Sequence, residues 1–286
     1  MSQQNLPPDM ALPFASVRSL LREYRDRDPG KTALVDLDQD ASITFGELDE
    51  VVGRVARLLD ALGMAKGDKI AVLSEENLEK LILWLGIWRI GAVVCPLNVE
   101  INRAHIAEIL GHIEPSLVLW HEALDGEALT EGLDCPVMRF SHWRRDGDGS
   151  SEIDEFFARM AVRPDGSADD EVGYDYAPDD LAAIFCTSGT TSKPKCVVYN
   201  HLSYWLSGLS TLDMLGLTAD DRTLEYRSFG WNSAQILSFL PWLQTGLTLH
   251  IANRFSHSRF FEWIKDHGIT FAAGVPTVVN MLLNEP

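Results

Sequence analysis

Apolar residues recur along the chain at two spacings. Phe14, Val17, Leu20, Leu21 and Tyr24 keep the three-to-four step of a helix face, which the turn at Asp28-Pro29-Gly30 ends. "KTALVDLDQDASITF" then reads as two short strands around a polar turn. Thr44 and Glu47 stand at capping-box spacing before an amphipathic helix from about Phe45 to Leu62, which Gly63 terminates. Beyond it the strands "DKIAVLS", "AVVCPLN" and "PSLVLW" alternate with the helices "NLEKLILWLGIWRI" and "RAHIAEILGHI". Such alternation predicts βαβ units and an α/β fold of mostly parallel sheets flanked by helices.

Residues from about Arg144 to Asp180 are acidic and turn-rich, as a domain linker or a long surface excursion would be. After them come a strand, "LAAI", a helix, "LSYWLSGLSTLDML", and a strand, "TLEYRS". An aromatic-rich stretch, Phe229 to Trp242, follows, then strand "LTLHIA", helix "SRFFEWIKDHG", strand "TFAAG" and a helix starting "PTVVNMLL". Leu81 to Leu97 imitates a membrane span, but it is short, contains Arg89 and is divided by Gly91. A buried helix running into a buried strand explains it, and no membrane span is expected.

Length and charge narrow the function. At 286 residues the chain suits one large or two smaller domains, and 46% apolar residues with eight tryptophans imply a well-filled interior. A net charge of −18 excludes nucleic acid as a partner, yet leaves room for a small anion in a local basic or amide-lined pocket. Cys95, Cys135, Cys186 and Cys196 are scattered with no CxxC pair, which predicts reduced thiols and a cytoplasmic setting. The opening residues carry neither a basic start nor an apolar core, so no signal peptide is expected.

Two metal-like patterns fail on inspection. Asp36, Asp38, Asp40, Ile43 and Glu47 match EF-hand offsets, but Ala41 stands where the loop needs Gly and the preceding residues read as strand. Glu108 and His112 share a helix face without a third ligand. No protein-held metal is assigned.

The run "FCTSGTTSKPKCVVYNH", Phe185 to His201, follows a strand and concentrates anion-binding chemistry. Gly189 frees backbone N–H groups to turn towards an anion, while Thr187, Ser188, Thr190 and Thr191 offer hydroxyls. Lys193 and Lys195 add positive charge, and Pro194 stiffens the exit. It is not a Walker A sequence, because no Gly-Lys-Ser/Thr follows Gly189 at the required offset. A Ser/Thr-rich surface turn fits the run as well as a phosphate site does.

"TSGTTSKPK" after a strand resembles the phosphate-binding signature of the adenylate-forming (AMP-binding) enzymes: acyl-CoA synthetases, luciferases and peptide-synthetase adenylation domains. "ITFGELDEVVGRVARLLDALGMAKGDKIAVLSEEN", "GIWRIGAVVCPLNVEINRAHIAEIL" and "GVPTVVNMLL" are similar to further blocks of that family, so the resemblance spans nearly the whole chain. Three positions depart from it. The family's second loop glycine is Ser192 here, its final glycine is Cys196, and the aromatic residue often found before Thr-Ser-Gly is Cys186. If that glycine normally adopts positive φ, Ser192 is strained by roughly 1 kcal/mol or more.

The resemblance implies ATP-dependent activation of a small carboxylic acid as an acyl-adenylate, then thioesterification to coenzyme A. Thr187, Ser188, Gly189, Thr190, Thr191 and Lys195 would hold the β and γ phosphates of ATP, with Mg²⁺ bound through those phosphates. The acyl group would sit against Phe229, Gly230, Trp231, Asn232 and Gln235, and against Gly274, Val275, Pro276 and Thr277. Where Gly230 stands many members carry histidine or an aromatic residue, so its small size should open space. Phe229 and Trp231 fit core aromatics equally well, and Asn232 and Gln235 fit backbone caps.

The family's adenine-contacting block, its ribose-binding Asp and its mobile C-terminal domain with the adenylation lysine have no counterpart in this sequence. The chain is therefore expected to be the N-terminal portion of an acyl-CoA synthetase/luciferase-type enzyme, inactive alone, and to associate as a homodimer or with a C-terminal half. Residues 64–215 should form the first α/β subdomain, with 1–63 and 216–286 contributing to an incomplete second one. Loading of a carrier-protein thiol, a non-catalytic nucleotide- or acyl-binding module, and a luciferase-type oxygenase are the competing readings.

Overall fold

The alternating pattern builds two sheets joined by a shared layer of helices. The computed structural model describes residues 16–143, 172–174, 177–187 and 195–284. In chain order these are α1 (Val17–Arg27), β1 (Thr32–Asp36), β2 (Ala41–Thr44), α2 (Phe45–Ala61), β3 (Lys69–Leu73), α3 (Leu78–Arg89) and β4 (Val93–Leu97). Then follow α4 (Arg103–Ile113), β5 (Leu117–His121), α5 (Gly126–Thr130), β6 (Val137–Phe140), β7 (Leu181–Thr187), β8 (Lys195–Asn200) and α6 (His201–Leu215). The rest comprises β9 (Arg222–Glu225), α7 (Asn232–Ala234), a π-helical turn (Gln235–Phe239), α8 (Leu240–Thr245), β10 (Thr248–Ile251), α9 (His257–His267), β11 (Phe271–Ala272) and α10 (Pro276–Asn284).

One sheet runs β11-β9-β10-β1-β2 and the other β6-β5-β3-β4-β7-β8. Pairing is parallel except at the β1–β2 hairpin and between β7 and β8. The largest apolar cluster takes residues from both sheets and from α1, α2 and α3. Smaller clusters place α4 and α5 on the outer face of the six-stranded sheet, and α9 and α10 on that of the five-stranded one. The result is a helix–sheet–helix–sheet–helix stack.

That stacking explains why α3 has no polar face. Every residue from Leu78 to Arg89 is buried, because the helix lies between two sheets. α2 packs so closely on it that a Cβ at Gly86 would come within 2.2 Å of Val55 Cγ1. The buried ends of α3 are neutralised locally. Arg89 Nη1 lies 3.3 Å from Asp49 Oδ1, and Lys80 Nζ 2.7 Å from Glu76 Oε1.

The expected capping box is present: Glu47 N donates to Thr44 Oγ1, and Thr44 N donates to Glu47 Oε2. The first helix begins at Val17, one turn later than the spacing predicts, with Ser16 as its N-cap; Phe14 lies outside the described residues. The strand expected at "TFAAG" shrinks to Phe271–Ala272. Among the described residues no helix is long and apolar enough to cross a membrane.

Candidate functional site

β4, β7 and β9 all run in the same direction within their sheets, and the chemistry gathers at their C-terminal ends, where open α/β sheets bind ligands. β7 ends at Thr187, and β8 returns antiparallel from Lys195, the two residues facing each other in register. The phosphate-loop candidates Ser188, Gly189, Thr190 and Thr191, with Ser192 and Lys193, lie outside the described residues. Thr187 is described by its backbone, and Lys195 is exposed at the start of β8. The structure therefore fixes the two roots of the run.

One step inside those roots, Cys186 and Cys196 face each other and are joined by a disulfide, Cα to Cα 4.0 Å. This corrects the expectation of four reduced thiols, which holds for Cys95 and Cys135 alone. Spacing along the chain could not reveal the pair, because it is the antiparallel register of β7 and β8 that brings the two together. Cys186 also lines a small cavity with Cys95, Pro96, Asn98, Gly230 and Trp231. Burial pushes the Cys95 thiol up to about 12, so it stays protonated.

That cavity holds only about 10 Å³, at or below the space of one water. Gly230 explains why. A Cβ there would lie 2.8 Å from Asn98 N and 3.1 Å from Asn98 Cα, so the glycine admits the backbone that follows β4. The expectation that Gly230 opens space is corrected: the space its missing side chain leaves is filled by Asn98.

The loop after β9 is held by groups the sequence did not advertise. Gly230 N donates to Ser228 Oγ at 3.1 Å, and Ser228 Oγ donates to Glu76 Oε1 at 2.7 Å. Gln235 is fully buried, its amide donating to Phe229 O at 2.5 Å and accepting from Tyr204 Oη at 2.9 Å. Both ends of that amide are occupied, so Gln235 braces the loop from behind. Phe229 is likewise a core residue, packed edge-on against Phe239. Trp231 is 40% exposed and reaches the cavity. Asn232 is exposed on α7, outside the cavity lining. Gly274, Val275, Pro276 and Thr277 are exposed where β11 passes into α10, and a Cβ at Gly274 would meet Tyr226 Oη at 3.0 Å.

Deeper still, Arg227 chelates Glu225 at 2.5 and 2.8 Å, and Ser238 Oγ donates to the same carboxylate at 2.7 Å. For the Glu76–Ser228 link, the signal that could have found it was Lys80, a lone lysine four residues after Glu76 in an apolar run, whose Nζ lies 2.7 Å from the same Glu76 oxygen. A larger cleft, about 570 Å³, opens elsewhere between the ends of β1, β3, β5 and β10, with His121 and His142 on its wall. Burial lowers His121 to about 4, whereas the hydrogen bond to Glu79 raises His142. None of the predicted site residues lies there. Among the described residues no three His, Cys, Asp or Glu side chains cluster to hold a metal.

Comparison with known proteins accords with this geometry. FadD13, a long-chain-fatty-acid–CoA ligase of Mycobacterium tuberculosis, is 25% identical over 267 residues, 93% of this chain and 51% of the relative. The crotonobetaine/carnitine–CoA ligase of Salmonella paratyphi A is 25% identical over 255 residues, 85% of this chain and 47% of that one. The chain thus spans about half the length of the curated relatives it matches. Apo MatB from Rhodopseudomonas palustris superposes with a TM-score of 0.78 at 25% identity, covering 95% of this chain and 51% of its own. The luciferase-like enzyme of the mealworm Zophobas morio shares the fold, with a TM-score of 0.81 at 21% identity over 97% of this chain and 64% of its own. The model of the AMP-binding enzyme family matches residues 21–286, and the chain belongs to that family.

Proposed function

We propose that this chain carries the ATP-polyphosphate grip and one wall of the acyl site of an enzyme that activates a carboxylic acid as its acyl-adenylate and passes the acyl group to the thiol of coenzyme A. The observation that supports the reading is that Thr187 and Lys195, the two described ends of the "TSGTTSKPK" run, face each other at the C-terminal end of β7, one residue from Cys186, which lines a cavity with Gly230 and Trp231. A carboxylate is a poor acyl donor because its leaving oxide is basic, and AMP leaves far more readily. Hydroxyl donors and a lysine at a strand end suit the developing charge on a departing pyrophosphate. Mg²⁺ would neutralise the phosphates as an ATP-bound ion, since the donor set here is hydroxyl and ammonium rather than carboxylate.

On this reading Gly230 and Trp231 form the inner wall of the acyl site, with Phe229 and Gln235 backing it from the core. Asn232 lies exposed after β9, and Gly274, Val275 and Pro276 lie exposed after β11, the strand that pairs parallel with it. Coenzyme A is favoured over a carrier-protein thiol because two curated relatives are named as CoA ligases. Residues 64–215 make the subdomain of the six-stranded sheet, and 1–63 with 216–286 that of the other. Val279, Met281 and Leu283 on α10 and Val197 and Val198 on β8 are exposed apolar side chains, which supports association with a complementary half.

Titration with MgATP tests the reading. The chain should bind it, and Lys195→Ala should raise Kd about tenfold, as loss of one charge-assisted contact does. Unchanged affinity in that variant would remove Lys195 and the loop from the proposal. Acid-dependent exchange of pyrophosphate into ATP, run over straight-chain acids from acetate upward, then identifies the acyl group.

A further inference from the structure

We propose that the Cys186–Cys196 disulfide is a redox-sensitive strap that positions Thr187 and Lys195, the two roots of the phosphate loop, so that its reduction weakens ATP binding. The inference rests on the phosphate-loop reading above and adds to it a positioning element and the class of reagent that controls it.

Its place in the sheet carries the argument. Among the described residues β8 is the last strand in its sheet and pairs there with β7 alone. Val197 and Val198 are exposed on it, while Cys196 and Tyr199 turn towards the apolar clusters. The cross-strand bond lies one residue from the facing pair Thr187 and Lys195, and closes a loop of sequence separation 10 at its base. A polyphosphate site must bring backbone amides and a lysine to fixed positions, and ordering them costs less when the ends are already tied.

The bond is within reach of a soluble reagent. Cys186 and Cys196 are half-buried at the margin of the outer apolar cluster, next to exposed Lys195 and Val197. Cys95 lines the same cavity, but its thiol is buried and protonated and does not compete for the bond. Where ATP and coenzyme A are abundant the thiol pool is reducing, and disulfides persisting there are characteristically transient or sensing. A dithiol opens the strap in two steps. Its thiolate attacks one protein sulfur, the S–S bond breaks and a mixed disulfide forms; its second thiol then displaces the remaining protein sulfur. Two electrons and two protons pass to the protein, leaving Cys186 and Cys196 as thiols and the reagent as a cyclic disulfide. An ordinary disulfide oxidant reverses the exchange.

The test is MgATP titration of the same protein before and after dithiothreitol, with thiols counted by alkylation under denaturing conditions. Two modifiable thiols are expected before reduction and four after. Kd should rise about three- to tenfold on reduction. The Cys186→Ser/Cys196→Ser double variant should match the reduced protein whether or not reductant is present; if that variant misfolds, the wild-type pair of titrations decides alone. Equal ATP affinity in both redox states overturns the strap and leaves the phosphate loop standing. Four thiols without reductant overturn it directly. No ATP binding in either state overturns the phosphate-loop reading and the strap with it.

Discussion

Lys80 Nζ lies 2.7 Å from Glu76 Oε1 where the lysine is fully buried and the glutamate 5% exposed, and the same oxygen accepts from Ser228 Oγ. Glu76 follows β3 of one sheet, Ser228 follows β9 of the other, and the Gly230–Trp231 loop hangs from Ser228. One buried carboxylate therefore fastens the proposed acyl wall to the opposite sheet. Lys80→Met leaves that carboxylate uncompensated and should lower unfolding free energy by about 3–5 kcal/mol. Lys80→Met combined with Glu76→Gln should recover a large part of the loss. Urea unfolding of the four proteins of this cycle measures the coupling; additive losses would show that the two side chains do not act as a pair.

Gly230→Ala is expected to destabilise by about 1–3 kcal/mol, because the added carbon meets backbone atoms of Asn98 that no rotamer change can move. Gly111→Ala is the control. That glycine lies within α4 and a Cβ there meets nothing within 4 Å, so the change should stabilise by about 0.5–1 kcal/mol. Urea midpoints moving the same way in both variants would contradict the assigned close approach.

The sequence was most legible where local rules and burial agree. The Thr44–Glu47 box, the strand–helix alternation from Lys69 to His121 and the strand ahead of Thr187 all follow from periodicity and capping. β6 and the short α5 were missed because four- and five-residue elements carry too few positions to show a period. β8 went unread because its side chains are largely exposed, so "KCVVYN" shows no alternation. The site was legible as chemistry but not as contacts. Nothing local in "SFGWNSAQ" says that Gly230 receives Asn98, or that Gln235 turns inward to Phe229 and Tyr204. Those relationships join residues separated by 132 positions for Gly230 and Asn98 and 31 for Gln235 and Tyr204, which only the packed sheets bring together.

Reduction of Cys186–Cys196 should also lower global stability. Closing a loop of sequence separation 10 removes chain entropy from the unfolded state, about 2–3 kcal/mol in the loop-closure account. Thermal unfolding with and without dithiol should show a lower Tm for the reduced protein, and the Cys186→Ser/Cys196→Ser variant should show no response to the dithiol. A wild-type Tm independent of reductant would mean that the hairpin is as constrained without the bond as with it.

Three buried histidines set the acid limit of the fold. Burial depresses His121, His201 and His250 from 6.5 to about 4. Each stays neutral in the folded chain while its unfolded counterpart takes up a proton below about pH 6.5, so the unfolded state binds more protons between those values. The stability they contribute is complete above pH 6.5 and is lost as pH falls towards 4, by up to about 3 kcal/mol for each fully expressed shift. His201 offers the cleanest test, since it packs edge-on to Trp88 with ring centroids 5.4 Å apart and phenylalanine can keep that contact. Urea unfolding free energies measured from pH 7 to 4 should fall less steeply in His201→Phe, by up to about 1.4 kcal/mol per pH unit through the window. A slope identical to wild type would mean that His201 takes up its proton in the folded state as readily as in the unfolded one.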